Sequence, residues 1–241
     1  MFELLNALVL LTNYIIVPGL TYGSQLALGA LGVTMIYAVL RFSNFAHGEL
    51  MSFGAMATIL STWMLQSMGI KLTVLPTAIL AIPIGASVTV LYCLIINYLV
   101  YEYYREKKID TNTYFIVSIG VLFFTAGLIR LVIGPKDQNF SDGARFILKA
   151  REFKTLTGLS EGLAIKTTQG MTIVVTIILV AFVFWFLNKT RTGKSMRAYS
   201  DNEDLALLSG INPRKVVLIT WIITGVLATV AGALYGLDKI Y

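Results

Sequence analysis

Asn44, His47 and Glu49 fall within one six-residue run, Asn44-Phe45-Ala46-His47-Gly48-Glu49, with long uncharged stretches on either side. An amide, an imidazole and a carboxylate gathered between apolar helices could line a solute path, because transporters build sites from interrupted helices whose N-termini face anionic groups. Asn44 is a good cap for the helix that follows, and Glu49 lies near its start, where the dipole favours an anion. Phe45 and Phe53 would add aromatic walls to such a path, and Gly48 belongs to the same break. His47 is the single histidine of the chain, and a polar residue at membrane depth is functional by default. One imidazole without clustered Cys or carboxylate partners falls short of the usual ligand sets, so no metal is expected, and no cofactor either. The plain alternative is a tight turn at the membrane surface, with Arg41 and Glu49 solvated.

A second polar stretch, Thr190 to Lys215, separates two later apolar runs. Ser200 as N-cap and Glu203 three residues on predict a reciprocal capping box. Asp201, Glu203 and Asp204 place negative charge at the positive end of the helix dipole. Gly210 predicts a left-handed stop, and Pro213 prevents the helix from resuming. Leu205 and Leu208 share a face. A bare connection between two spans needs no capped helix with an apolar face, so this one reads as a docking element. An interfacial helix lying on headgroups, with Lys194 and Arg197 toward lipid, is the competing reading. Gly193-Lys194-Ser195 imitates the end of a phosphate-binding loop, but position 188 is asparagine where that loop needs glycine, and a span precedes it instead of a strand. No ATP site is expected.

These residues must be held by helices in a bilayer. Of the 241 residues, 56% are apolar and the mean hydropathy is +0.76, beyond the roughly 45–50% apolar content of soluble domains. The excess sits in long runs at 4–19, 20–40, 50–68, 73–100, 113–133, 170–188 and 215–237, uncharged except for Arg130 and Lys215 near two of their ends. A hydrocarbon core about 30 Å thick needs roughly 20 apolar residues per helix. The pattern therefore predicts an all-α polytopic transmembrane bundle of about seven spans. The first run is short and abuts Pro18 and Gly19, which suggests an oblique or interfacial helix. The run 73–100, with Pro76 and Pro83, reads as one kinked span. Met1-Phe2-Glu3 offers no positive region for a signal peptide, and the one cysteine, Cys93, lies inside a span as a packing residue. Thr224, Ala228, Gly232 and Gly236 form a small-residue stripe suited to close packing in lipid, within the subunit or between subunits.

The net charge of +6 does not point to nucleic acid, because the basic residues sit between spans. Segments 41–49, 101–112 and 189–214, with Lys215, carry ten Lys or Arg on one face, against eight on the other up to residue 169 and a ninth, Lys239, after the last run. The positive-inside rule favours the first face as cytoplasmic by a small margin. The long connection 134–169 mixes six basic with four acidic residues, in clusters from Lys136 to Asp142 and from Lys149 to Lys154, which suit reversible contact with a soluble protein.

With these residues in view, the chain resembles the permease of bacterial branched-chain amino-acid ABC importers. The likeness runs from Gly19 to Ala55 (GLTYGSQLALGALGVTMIYAVLRFSNFAHGELMSFGA) and again from Arg191 to Gly236, where the spacing GxxxRAxxxNxxxAxxxGI recurs. Urea and short-amide permeases share both motifs and are the alternative cargo. The resemblance implies that 190–215 is the cytoplasmic coupling segment, seated in a groove of a separate ATPase. The matching positions are Gly193, Arg197, Ala198, Asn202, Ala206, Gly210, Ile211 and Asn212; Glu203, Asp204 and Leu208 lie among them. It further implies an inner-membrane location, a second homologous permease, and a periplasmic binding protein facing 134–169. Members continue through another glycine-rich segment and further spans, so this chain resembles the front portion of a permease.

Two other classes fit less well. An ion-coupled secondary transporter usually carries charged residues in mid-span, whereas the runs 20–40, 73–100, 113–129 and 170–188 hold no Asp, Glu, Lys or Arg and 215–237 holds only Lys215 at its very start. An intramembrane zinc protease needs a motif such as HExxH, and a serine hydrolase would leave His47 as its only base.

Overall fold

The fold is described from a computed structural model, covering residues 2–72, 75–107, 109–136, 138–140 and 146–239. The sequence places a proline near the junction of its first two runs, yet no break forms there. Helix α1 (Phe2–Leu11) passes through a π-helical turn, Thr12–Ile16, into α2 (Val17–Leu40). Pro18 stands in the first turn of α2, where the backbone N–H it lacks is not needed. The expected first two spans are therefore one helix of 38 residues, Glu3–Leu40. At 1.5 Å per residue it is about 57 Å long, well beyond the hydrocarbon core.

The remaining long helices are α3 (His47–Ser67), α4 (Ala78–Ile96), α6 (Thr111–Ile133), α8 (Thr167–Lys189) and α11 (Pro213–Asp238). Helix α4 contains Pro83 and continues through a π turn, Asn97–Tyr101, into α5 (Glu102–Glu106). Residues 78–106 thus make the single span expected, with Pro76 left outside it. Among the described residues, five helices are long and apolar enough to cross a membrane. Helix α3 has the length but is less apolar. The expected seven shrink because two runs share one helix and the third is diluted by polar residues. The chain is also not purely helical. In the connection between α6 and α8, β1 (Phe146–Leu148) pairs antiparallel with β2 (Ile165–Lys166), around the short helix α7 (Ala150–Thr157). Asp137 and Asp142 of the first charge cluster lie outside the described residues.

Helix α11 is the centre of the bundle, packed on α2, α3 and α4. Lipid offers no hydrophobic drive between helices, so association depends on close backbone approach through small residues. A Cβ on Gly54 of α3 would sit 2.5 Å from Thr229 Cα, and one on Gly232 would run into the Met51 carbonyl. The stripe on α11 therefore packs inside this subunit. Three buried threonines at this seam satisfy their hydroxyls within their own helices. Thr58 bonds Gly54 O at 2.8 Å, Thr89 bonds Gly85 O at 2.9 Å and Thr229 bonds Gly225 O at 2.8 Å.

The two ends of the bundle are distinct. Asn13 donates to Gly162 O at 2.6 Å and accepts from Ala164 N at 3.0 Å, so the N-terminal helix is tied to the long connection. At the opposite end, the Arg41 guanidinium reaches Ser200 O and Ser200 Oγ reaches Ala38 O at 2.7 Å. The NFAHGE break and the second polar stretch thus share one end.

Candidate functional site

Helix α2 ends at Arg41, whose backbone is left-handed (φ 58°) and whose N–H still bonds Tyr37 O. The chain then turns through Asn44. Its Oδ1 accepts from Ala46 N at 3.1 Å, closing a local side-chain turn, and from the Tyr101 hydroxyl at 3.1 Å. The N-cap position of α3 is Ala46, without a side-chain cap. Asn44 therefore shapes the approach to the helix instead of capping it. The π turn at the end of α4 carries Tyr101 to this contact.

The six expected pathway residues divide into two sets. Asn44, His47 and Phe53 are buried. Phe53 stacks on Tyr92 with centroids 4.2 Å apart, and His47 presses on Gly32 of α2, where a Cβ would lie 2.5 Å from Cε1. Neither ring nitrogen of His47 makes a hydrogen bond of good geometry, although the Gly29 backbone is its electrostatic neighbour. Phe45, Gly48 and Glu49 lie toward the outside. Phe45 meets Phe115 edge-on at 4.8 Å, and its N–H bonds Ser118 Oγ at 3.2 Å.

Sequence reasoning missed the aromatic column behind the break. Tyr114, Phe42, Tyr101 and Trp221 stack in order at 5.0, 5.2 and 5.1 Å, joining α6, the break, the α4 extension and α11. Offset stacks of this kind add about 0.5–1.5 kcal/mol per pair beyond burial. Tyrosines at the ends of two apolar runs were the available signal. Asn44 Nδ2 and Trp221 Nε1 are buried donors without a partner beside this column.

The second polar stretch folds as two helices, α9 (Arg191–Asp201) and α10 (Glu203–Leu208). The expected capping box does not form. Ser200 lies in the last turn of α9 with its hydroxyl on Ala38, and the Tyr199 hydroxyl donates to Glu203 Oε1 at 2.6 Å. Thr190 caps α9 through Gly193 N, Asn202 caps α10 through Leu205 N, and Asn212 caps α11 through Lys215 N. Asn caps at least as well as Ser, so the chain breaks at extended Asn202. Burial pushes the Tyr199 phenol up, and the Glu203 carboxylate adds to the effect, so Tyr199 remains a donor.

The expected stop at Gly210 is present (φ 80°). Its N–H bonds Leu207 O and Ile211 N bonds Ala206 O, both at 3.0 Å, which is a Schellman closure. Pro213 does not merely end a helix; it opens α11. Gly193 sits so close to Phe186 and Leu187 of α8 that a Cβ would overlap their backbone. The motif residues Gly193, Asn202, Ala206 and Gly210 thus set the corners of this element. Ala206 is buried, Arg197 bonds Asn188 Oδ1 at 3.0 Å, and Ala198 and Asp204 are exposed. Leu205 and Leu208 are 61% and 86% exposed.

A family model described as branched-chain amino acid transport system / permease component matches residues 15–240. The chain belongs to that permease family. The permease is 30% identical over 222 residues to the high-affinity branched-chain amino acid transport system permease protein LivH of Salmonella typhimurium, covering 90% of this chain and 68% of that relative. It is 29% identical over 224 residues to LivH of Escherichia coli, with the same coverages. It is 29% identical over 225 residues to BraD of Pseudomonas aeruginosa, covering 92% of this chain and 70% of that relative. No solved structure matches the permease. Its family and its apolar helices make it a multi-pass membrane protein.

Proposed function

We propose that the permease carries branched-chain amino acids across the bacterial inner membrane as the membrane subunit of an ATP-driven importer. A separate cytoplasmic ATPase docks on α10, a second homologous permease completes the pathway, and a periplasmic binding protein delivers cargo to the 134–169 face. One observation supports this reading above the others. The short helix α10, rigidly capped and stopped, turns Leu205 and Leu208 to solvent at the end of the bundle where the NFAHGE break lies. An amphipathic helix set in a partner's groove is a standard recognition mode. Displacement of α10 would reach α2 through Ser200 and Arg41, biasing the spans between outward-open and inward-open states. In this mechanism Asn44, Phe45, His47, Gly48, Glu49 and Phe53 border the substrate path, and the bonds that break belong to ATP on the partner. The permease itself performs no covalent chemistry.

The test is co-purification. Leu205→Asp with Leu208→Asp should release the ATPase while membrane insertion is unchanged. Retention of the ATPase at the wild-type level would overturn the docking assignment.

A further inference from the structure

A cleft of about 400 Å³ opens between α10, the end of α2 and the start of α6. That volume is in the range of small-molecule sites. Two guanidinium groups, Arg41 and Arg105, and two carboxylates, Glu203 and Asp204, line it, so its formal charge is balanced. Phe42, Tyr114 and Leu207 supply apolar wall. The charged groups are positioned by the protein. Arg105 Nη2 is held by Asn97 Oδ1 at 3.0 Å, Arg41 by Ser200 O, and Glu203 by the Tyr199 hydroxyl. A guanidinium has five N–H donors, so each arginine keeps donors for a ligand. Arg41 is also the one non-glycine residue with positive φ among the described residues. Such backbone strain persists where the surroundings enforce it, and it gathers at ligand clamps.

Helix α10 divides its faces. Glu203, Asp204 and Leu207 border the cleft, Ala206 is buried, and Leu205 and Leu208 face solvent. A net-neutral pair of opposite charges with an apolar wall selects a ligand of the same pattern. We infer that the cleft binds a free zwitterionic amino acid with an apolar side chain. The carboxylate lies on Arg41 and Arg105, the ammonium on Glu203 and Asp204, and the side chain against Phe42, Tyr114 and Leu207. The bound solute bridges α10 to α2 and α6, and so holds α10 closed on the bundle against displacement by the ATPase. By reciprocity, whatever pulls α10 away lowers affinity for the solute. This is product feedback, and it rests on the proposed amino-acid cargo.

The experiment is calorimetric titration of the full chain in lipid nanodiscs with L-leucine, isopentylamine and 4-methylpentanoate. L-leucine should bind, and each analogue, lacking one charge, should bind at least about tenfold more weakly. Arg105→Gln and Asp204→Asn should each weaken L-leucine by a similar factor, whereas Ile178→Ala, on the exposed face of α8, should leave it unchanged. Analogue binding as tight as that of L-leucine needs no refolding argument and would overturn the site, as would L-leucine binding unchanged in both Arg105→Gln and Asp204→Asn. In the assembled importer, leucine uptake without any binding at the cleft would sink the cleft and leave the cargo reading standing. Absence of leucine uptake would sink the cargo reading itself.

Discussion

Ser200 Oγ donates to the Ala38 carbonyl at 2.7 Å, hooking the last turn of α9 to the last turn of α2. Beside it the Arg41 guanidinium reaches back to the Ser200 carbonyl. The two contacts run in opposite directions between the same pair of chain segments. The end of α9 is therefore tied to the end of α2 at two points, the link through which the proposed coupling would run.

Ser200→Ala removes the hook while Arg41 keeps its partner. A net loss of about 1 kcal/mol is expected, read as a lower midpoint in detergent thermal unfolding. In the assembled importer the ratio of cargo moved to ATP hydrolysed should fall. An unchanged ratio with a lower midpoint would confine Ser200 to a structural role.

Gly32→Ala places a methyl where the His47 imidazole lies. Overpacking of this kind costs about 1–3 kcal/mol. His47→Ala in the same chain should return most of the loss, because neighbours in contact are not additive. Additive effects in a double-mutant cycle would show that the two side chains do not share this space.

Gly210→Ala forces a side chain into the left-handed region at a cost of about 1–2 kcal/mol and loosens the Schellman closure. Helix α10 should lose its fixed angle, so ATPase association should weaken with Leu205 and Leu208 intact. Pull-down from membranes measures this, and wild-type recovery would argue against a rigid docking helix.

Asn44→Leu strips the acceptor from both Ala46 N and the Tyr101 hydroxyl. Substrate-stimulated uptake should fall while assembly is preserved. Tyr101→Phe removes one of those bonds but keeps the aromatic column, so its effect should be smaller, about 1 kcal/mol in stability. Wild-type uptake by Asn44→Leu would refute a role for the break in the pathway.

Much of this was legible in the residues. Long uncharged runs identify the membrane class, and Gly210 marks its turn because few residues adopt positive φ without cost. The break at 41–46 is visible because it concentrates polar groups between apolar runs. What escaped is what depends on partners far along the chain. Pro18 reads locally as a stop, yet a π turn before it lets the helix continue. Ser200 reads as a cap, but Asn202 is as good a cap, and Ala38 took the serine hydroxyl. The column of Tyr114, Phe42, Tyr101 and Trp221 draws on four separate segments, so no local spacing could announce it. Arg41 and Arg105 lie more than sixty residues apart in sequence and meet only because α4 runs on through its π turn.

Thr58, Thr62, Thr89, Thr220 and Thr229 at the α3–α4–α11 seam keep their hydroxyls on their own helices. At these positions no hydrogen bond has to rupture when one helix slips past the next. The surfaces that remain are methyls and glycine backbones, which slide at little enthalpic expense. In the proposed mechanism, a bundle lubricated in this way changes shape on the modest stroke that one short helix delivers at its end.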